Sequence, residues 1–189
     1  MKTAPKKRCP WAESNEELMG YHDVEWGRPL HDDHLLFEFL SLEGAQAGLS
    51  WLTILKRREG YRAAFKNFAI ETVARYCESD IQQLLQDERI IRNQLKIRSV
   101  VNNAKKVIQI QKDYGSLDEY FWQFVSHQPI KHHFDEEGQI PAMDEISLTI
   151  SKDLKKRGLT FVGPTIIYAH MQATGMVNDH LVYCFKYQD

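Results

Sequence analysis

Four residues able to bind a metal lie towards the two ends of the 189-residue chain: Cys9 and His22 near one, His180 and Cys184 near the other. His180 and Cys184 are four positions apart, so on a helix or a tight turn they face the same way, as ligand pairs usually do. Two thiolates and two imidazoles would complete a tetrahedral structural zinc site, one ion per chain, and tie the ends together. The same residues also fit ordinary core cysteines and surface histidines, and spacing alone leaves both readings open. Three cysteines cannot all pair, and Cys77, the third, is read as a packing thiol. His31 with His34, and His132 with His133, sit among acidic residues at a helix start and in a loop, where solvated polar surface explains them.

A second candidate is the carboxylate of Glu43, inside the apolar run Leu40-Ser41-Leu42-Glu43-Gly44-Ala45. A buried unpaired charge costs several kcal/mol or shifts its pKa, so this residue needs a reason. Trp11, Tyr21, Trp26 and Trp51 crowd the same third of the sequence and include three of the four tryptophans. Aromatic walls around a lone carboxylate suit a flat, cationic, hydrogen-bonding ligand. The plainer reading makes the tryptophans core and Glu43 a solvated helix residue.

Charge adds a third signal. The net charge of -2 argues against indiscriminate binding to polyanions, but residues 89–112 carry seven basic side chains and no acidic one. Lys152, Lys155, Lys156 and Arg157 form a second basic knot, and each group also reads as a solvated helix face.

The elements that must position these residues are helical almost throughout, and the expected fold class is all-α. Asp33 is expected to cap a helix carrying Leu35, Leu36, Phe39 and Leu40, and Ser79 one carrying Ile81, Leu84 and Leu85. A longer helix spans residues 93–111, and Ser116 starts another. Residues 128–144, with Pro129, Gly138 and Pro141, form the one long irregular connection. Residues 147–158 read as a helix ending at a left-handed Gly158, followed by a short turn at 159–163 and a new helix opening with Pro164. Gly163 leaves backbone amides bare at that helix start, where a phosphate can be received. The chain is expected to be one unit over residues 1–189. A central bundle at about 33–128 and a second lobe from about 1–32 and 145–189 are a possible subdivision. No leader or membrane-spanning pattern is visible, so a soluble, cytoplasmic, monomeric protein is expected.

These signals coincide in one family. Cys9-Pro10-Trp11, Tyr21-His22-Asp23-Val24-Glu25-Trp26-Gly27, the run from Leu42-Glu43-Gly44 to Gly48-Leu49-Ser50-Trp51, Lys155-Lys156-Arg157-Gly158, Phe161-Val162-Gly163-Pro164-Thr165 and Val177-Asn178-Asp179-His180 closely resemble the 3-methyladenine DNA glycosylase I family, in order, from about Arg8 to Cys184. The resemblance implies a helix-hairpin-helix DNA glycosylase fold with zinc held by Cys9, His22, His180 and Cys184. It implies a base pocket around Tyr21, Trp26, Glu43 and Trp51 with Trp11 nearby, Glu43 being the catalytic candidate. Double-stranded alkylated DNA is the implied partner. Leu49 would enter the gap left by an extruded nucleotide. Phe161, Gly163 and Thr165 would meet the DNA backbone, with Lys155, Lys156 and Arg157 in support. Two positions depart from the pattern. Leu18 stands where many members carry an aromatic residue. Asp179 is superficially similar to the catalytic aspartate of the wider superfamily and is read as a helix cap or a partner of His180. The implied activity is excision of 3-methyladenine. The rival readings are a non-catalytic helix-hairpin-helix module binding damaged or branched DNA and, more weakly, hydrolytic zinc chemistry, which four protein ligands would block.

Overall fold

Ten consecutive residues, from Leu36 to Ala45, are buried in the computed structural model, which describes residues 6–188. They belong to a helix with no polar face, and such a helix has to sit in the centre with neighbours around it. In chain order the helices are α1 (Glu16–Val24), α2 (Asp33–Gln46), α3 (Trp51–Leu55), α4 (Arg58–Ala64), α5 (Ile70–Ala74), α6 (Glu78–Leu84), α7 (Gln94–Tyr114), α8 (Leu117–Trp122), α9 (Glu145–Lys156) and α10 (Pro164–Ala173). The buried one is α2, and α3, α7, α8 and α10 pack on it. One apolar cluster runs from Leu36 to Val177, and a smaller one gathers Cys9, Tyr21, Trp26, Phe39, Ala173, Leu181 and Cys184 from the chain ends.

The all-α class holds, with one small addition. Within the long connection, β1 (Ile130–Lys131) pairs in parallel with β2 (Val177–Asn178), Ile130 facing Val177. Two residues per strand are too few for an alternating pattern to show in the sequence.

Several end signals act elsewhere than expected. Asp32, not Asp33, caps α2, its Oδ1 accepting from Leu35 N at 2.9 Å. Asp33 instead accepts from Leu117 N and Asp118 N, both at 2.9 Å, so a residue of α2 caps the first turn of α8. Ser79 lies inside α6, whose cap is Cys77, with the Asp80 side chain accepting from Cys77 N at 2.8 Å. Cys77 is exposed, so it is not a core thiol. Asn93 caps α7 and Ser116 caps α8 as the sequence suggests.

Inside the bundle, Glu38 is buried against Arg58 and Arg62, and Arg58 also reaches Glu25 at 2.7 Å. His170 on α10 is fully buried beside Phe121, with ring centroids 4.6 Å apart and no partner for either ring nitrogen. Burial pushes its pKa down to about 3. The unfolded chain therefore takes up a proton at higher pH than the folded one, and stability is lost as the pH falls below about 6.5. His170→Leu should lack this term, so relative to pH 7 it should gain about 2 kcal/mol on the unsubstituted protein at pH 5 in urea denaturation. A stability difference between the two that is independent of pH would count against a neutral buried imidazole.

Candidate binding cavity and metal centre

The two ends of the chain meet at four buried side chains. The ligand atoms of Cys9, His22, His180 and Cys184 all lie within 4.8 Å of one another. Cys184 Sγ is 3.4 Å from His22 Nε2 and 3.6 Å from His180 Nδ1, and Cys9 Sγ is 3.8 Å from His180 Nδ1. An ion with bonds of about 2.0–2.3 Å to tetrahedral N and S ligands needs edges of about 3.3–3.8 Å. The residues therefore fit a metal.

The surroundings orient each ligand. His22 Nδ1 meets Asp23 Oδ1 at 2.9 Å, leaving Nε2 for the cluster, and Arg8 grips the same carboxylate at 2.8 Å. His180 Nε2 faces the Trp26 carbonyl at 3.2 Å, leaving Nδ1. Asp179 is not His180's partner, which corrects the sequence expectation. Its carboxylate meets His132, Tyr168 and Gln172 instead. The backbone amides of Leu181 and Lys186 point at the two sulfurs, each at 3.5 Å. A hydrogen bond between the two sulfurs lowers the Cys184 pKa and, with burial, raises that of Cys9. Gly27, at φ +75°, allows the close approach, because a Cβ there would lie 2.9 Å from His180 Nε2.

Directly beside this cluster is a cavity of about 600 Å3 lined by Trp11, Leu18, Tyr21, Trp26, Glu43 and Trp51 among others. Ring contacts link the two sites: Trp26 lies 4.6 Å from the His180 ring, Trp11 lies 5.1 Å from Trp26, and Tyr21 lies 5.4 Å from Trp51. Glu43, only 4% exposed, reaches the cavity from α2, and no described protein group donates a hydrogen bond to it. Burial pushes its pKa up to about 8. Burial and the nearby Glu43 together hold the Tyr21 hydroxyl well above its usual range. A neutral carboxyl with free hydrogen-bonding capacity, walled by aromatic rings, is ready for a flat polar guest.

After α2 the chain turns at Gly48, with φ +75°, and leaves Leu49 39% exposed. Ser50 then caps α3 through Thr53 N at 3.2 Å, which puts Trp51 back in the cavity wall. A groove of about 240 Å3 joins Glu43, Gly48 and Leu49 to Thr165 and Ile166 at the start of α10. This groove shares Glu43, Gln46 and Ala169 with the cavity, so the start of α10 lies beside it. Gly158 takes φ +87° as expected, Gly163 precedes Pro164 without a side-chain cap, and Thr165 is exposed.

Other candidates fall differently. Phe161 is half-buried, and its Cβ would be 3.2 Å from one on Gly44, so the hairpin packs closely on α2 there. Lys155 and Lys156 are exposed, but Arg157 turns away to Asp153 and Asp113 at 2.7 and 2.8 Å and lies over Tyr114. In the basic stretch at 89–112, Arg89 and Arg98 pair with Asp87 and Glu78. Lys96 is buried and donates to the Ala45 and Ala47 carbonyls at 2.8 and 2.6 Å, closing the end of α2. Sequence reasoning missed Lys96 and also Asn103, which exchanges two hydrogen bonds with Thr160 and so anchors the hairpin. The signal was a Lys on the apolar face of α7 and paired asparagines in its middle. It also missed Glu137, Ile140, Ala169 and Gln172 in the cavity wall.

The profile of a family described as methyladenine glycosylase matches residues 11–187. The chain is 45% identical to the Escherichia coli K12 protein named DNA-3-methyladenine glycosylase 1, over 96% of this chain and 97% of that one. It is 42% identical to the Haemophilus influenzae protein named DNA-3-methyladenine glycosylase, over 94% and 96%. A Staphylococcus aureus structure described as the basis of 3-methyladenine recognition superposes with a TM-score of 0.93 at 34% identity, covering 97% of this chain and 98% of that one.

The buried carboxyl makes a thermodynamic prediction. Unfolded, it ionises near 4.5; folded, it keeps its proton to about 8, so folding stability falls as pH rises between those values. Glu43→Gln escapes that loss. Measured by urea denaturation, it should match the unsubstituted protein at pH 4 and exceed it by about 3 kcal/mol at pH 7. No gain at pH 7 would mean that the carboxyl ionises freely in the cavity.

Proposed function

The chain belongs to the methyladenine glycosylase family, and from that premise we propose that it hydrolyses the N-glycosidic bond of 3-methyladenine in double-stranded alkylated DNA, as a base excision repair enzyme. The observation that carries this reading is a buried Glu43 without a protein hydrogen-bond donor, in an aromatic cavity that shares Glu43, Gln46 and Ala169 with the groove between the Gly48-Leu49 turn and the start of α10.

A base stacked in a duplex is out of reach, so the nucleotide must be extruded, at a cost of a few kcal/mol that is lower for damaged bases. Leu49 would fill the gap left in the stack, while the open amides of Gly163 and Thr165, on either side of Pro164, receive a backbone phosphate. Lys155 and Lys156 add positive potential. Trp26, Tyr21, Trp51 and Trp11 supply faces for the base, each stacking contact returning about 1–3 kcal/mol. Leu18 offers apolar packing only.

Methylation at N3 leaves the nucleoside base cationic, so it departs neutral and needs no general acid. Charge develops on the sugar instead, where Glu43 and the DNA phosphates can stabilise it. A cationic base drawn against the Glu43 carboxyl also favours its ionised form, opposing the effect of burial. Glu43 thus couples recognition to the bond-breaking step.

For the metal cluster we propose zinc, one per chain, held by Cys9, His22, His180 and Cys184. With four protein ligands its contribution is structural: it fixes the chain ends behind Trp26 and Trp11. On this reading the chain acts as one monomeric unit on DNA. Buried thiols of this kind suit a reducing cytoplasm.

Two measurements test the reading. Incubated with methylated DNA, the protein should release 3-methyladenine, identified by chromatography; Glu43→Gln should still bind undamaged DNA but release the base at least about tenfold more slowly, as expected for loss of an electrostatic contact to the transition state. Release of no base by the unsubstituted protein would leave a binding module. Elemental analysis should find one zinc per chain, and Cys184→Ala should lose both metal and several kcal/mol of stability, whereas Cys77→Ser keeps both. Well-folded protein with substoichiometric metal would defeat the zinc assignment.

A further inference from the structure

Asp179 is almost completely buried, yet its carboxylate serves no ligand of the metal cluster. Oδ2 accepts from the Tyr168 hydroxyl at 2.8 Å and from Gln172 Nε2 at 2.7 Å, and Oδ1 meets His132 Nδ1 at 2.6 Å. Gln172 donates through Nε2 to Asp179 Oδ2, so the amide's NH2 group faces Asp179 and its carbonyl oxygen faces away. Among the described residues nothing donates to that oxygen, and it is not among the polar atoms sealed in the interior without a partner. Gln172 lines the aromatic cavity from α10, one turn beyond Ala169, which lines the same wall.

We propose that Gln172 is a second base-reading residue, presenting its Oε1 to the exocyclic amine of the extruded base, with Asp179 as the positioning residue that locks the amide in this orientation. The inference rests on the glycosylase reading above and deepens it. An exocyclic amine carries two hydrogens, and one carboxyl oxygen of Glu43 satisfies only one of them. A second acceptor on α10 satisfies the other. Guanine carries O6 at that position, an acceptor itself, and would face two acceptors at once. Discrimination between the two methylated purines then comes chiefly from leaving O6 unpaired and repelled, which costs more than a missing contact.

Gln172→Met keeps the length and removes the acceptor. In methylated DNA, its release of 3-methyladenine should fall by about tenfold, the worth of one buried hydrogen bond, and the ratio of 3-methyladenine to 3-methylguanine released should fall with it. Metal content and binding to undamaged DNA should be unchanged. Asp179→Asn frees the amide to turn and should lower the same ratio, with metal content measured because His180 is the next residue. If Gln172→Met proves insoluble, this variant carries the test. Loss of stability with an unchanged ratio in these variants overturns the proposal and leaves a structural network. A wild-type protein that releases no base overturns the glycosylase reading itself, so the two failures are distinct.

Discussion

The burial of α2 from Leu36 to Ala45 is the constraint on which the rest depends. A helix with no polar face forces neighbours around it, and its polar residues must then be matched from outside the helix. Glu38 is matched by Arg58 and Arg62, and the carbonyls at the end of the helix by Lys96. Asp33, at its start, is matched by the amides that open α8. Glu43 and the Ser41 hydroxyl have no such match, and for Glu43 the cavity stands where a partner would be. Gly44 follows it, and the missing side chain is what lets the hairpin sit close behind the carboxyl.

The cavity and the metal cluster form one structure in two parts. Trp26 touches the His180 ring on one side and lines the cavity on the other, and its carbonyl faces the imidazole. Whatever fixes the cluster therefore fixes the aromatic wall. Arg8 acts on the same wall at longer range, through Asp23 and then His22. Chain ends are ordinarily the least ordered part of a fold; joining them at a buried four-ligand cluster lets them form a binding surface.

The site also concentrates unsatisfied polarity. Glu43 is held neutral by burial, and Trp51 Nε1 has no partner. In a core such groups are a liability, because each loses its hydration without replacement. Here they are spent stability in exchange for preorganisation: a guest that supplies the missing partners binds without rearrangement of the wall. His170 has the same kind of burial but lies away from the cavity beside Phe121, so its effect is on acid stability.

The sequence by itself determined the helical class, because turn residues and 3.6-residue periodicity act locally, and it identified the four cluster residues and the aromatic set around Glu43 through residue type and long ordered motifs. It also placed the hairpin, since a left-handed Gly158 and a Pro164 at a helix start carry their own backbone preferences. Only the tertiary structure decided which group each polar side chain serves. Asp33 was read as a local cap and instead reaches across the fold to α8; Asp179 was read as a cap or a partner of His180 and instead meets His132, Tyr168 and Gln172; Arg157 was read as support for DNA contact and is held by acids on two helices. Lys96, Asn103 and Gln172 gave little local warning. Hydrogen bonds between residues far apart in the chain, such as Asp33 with Leu117 or Asn103 with Thr160, leave no periodic trace in a single chain, because nothing in their immediate sequence has to accommodate them.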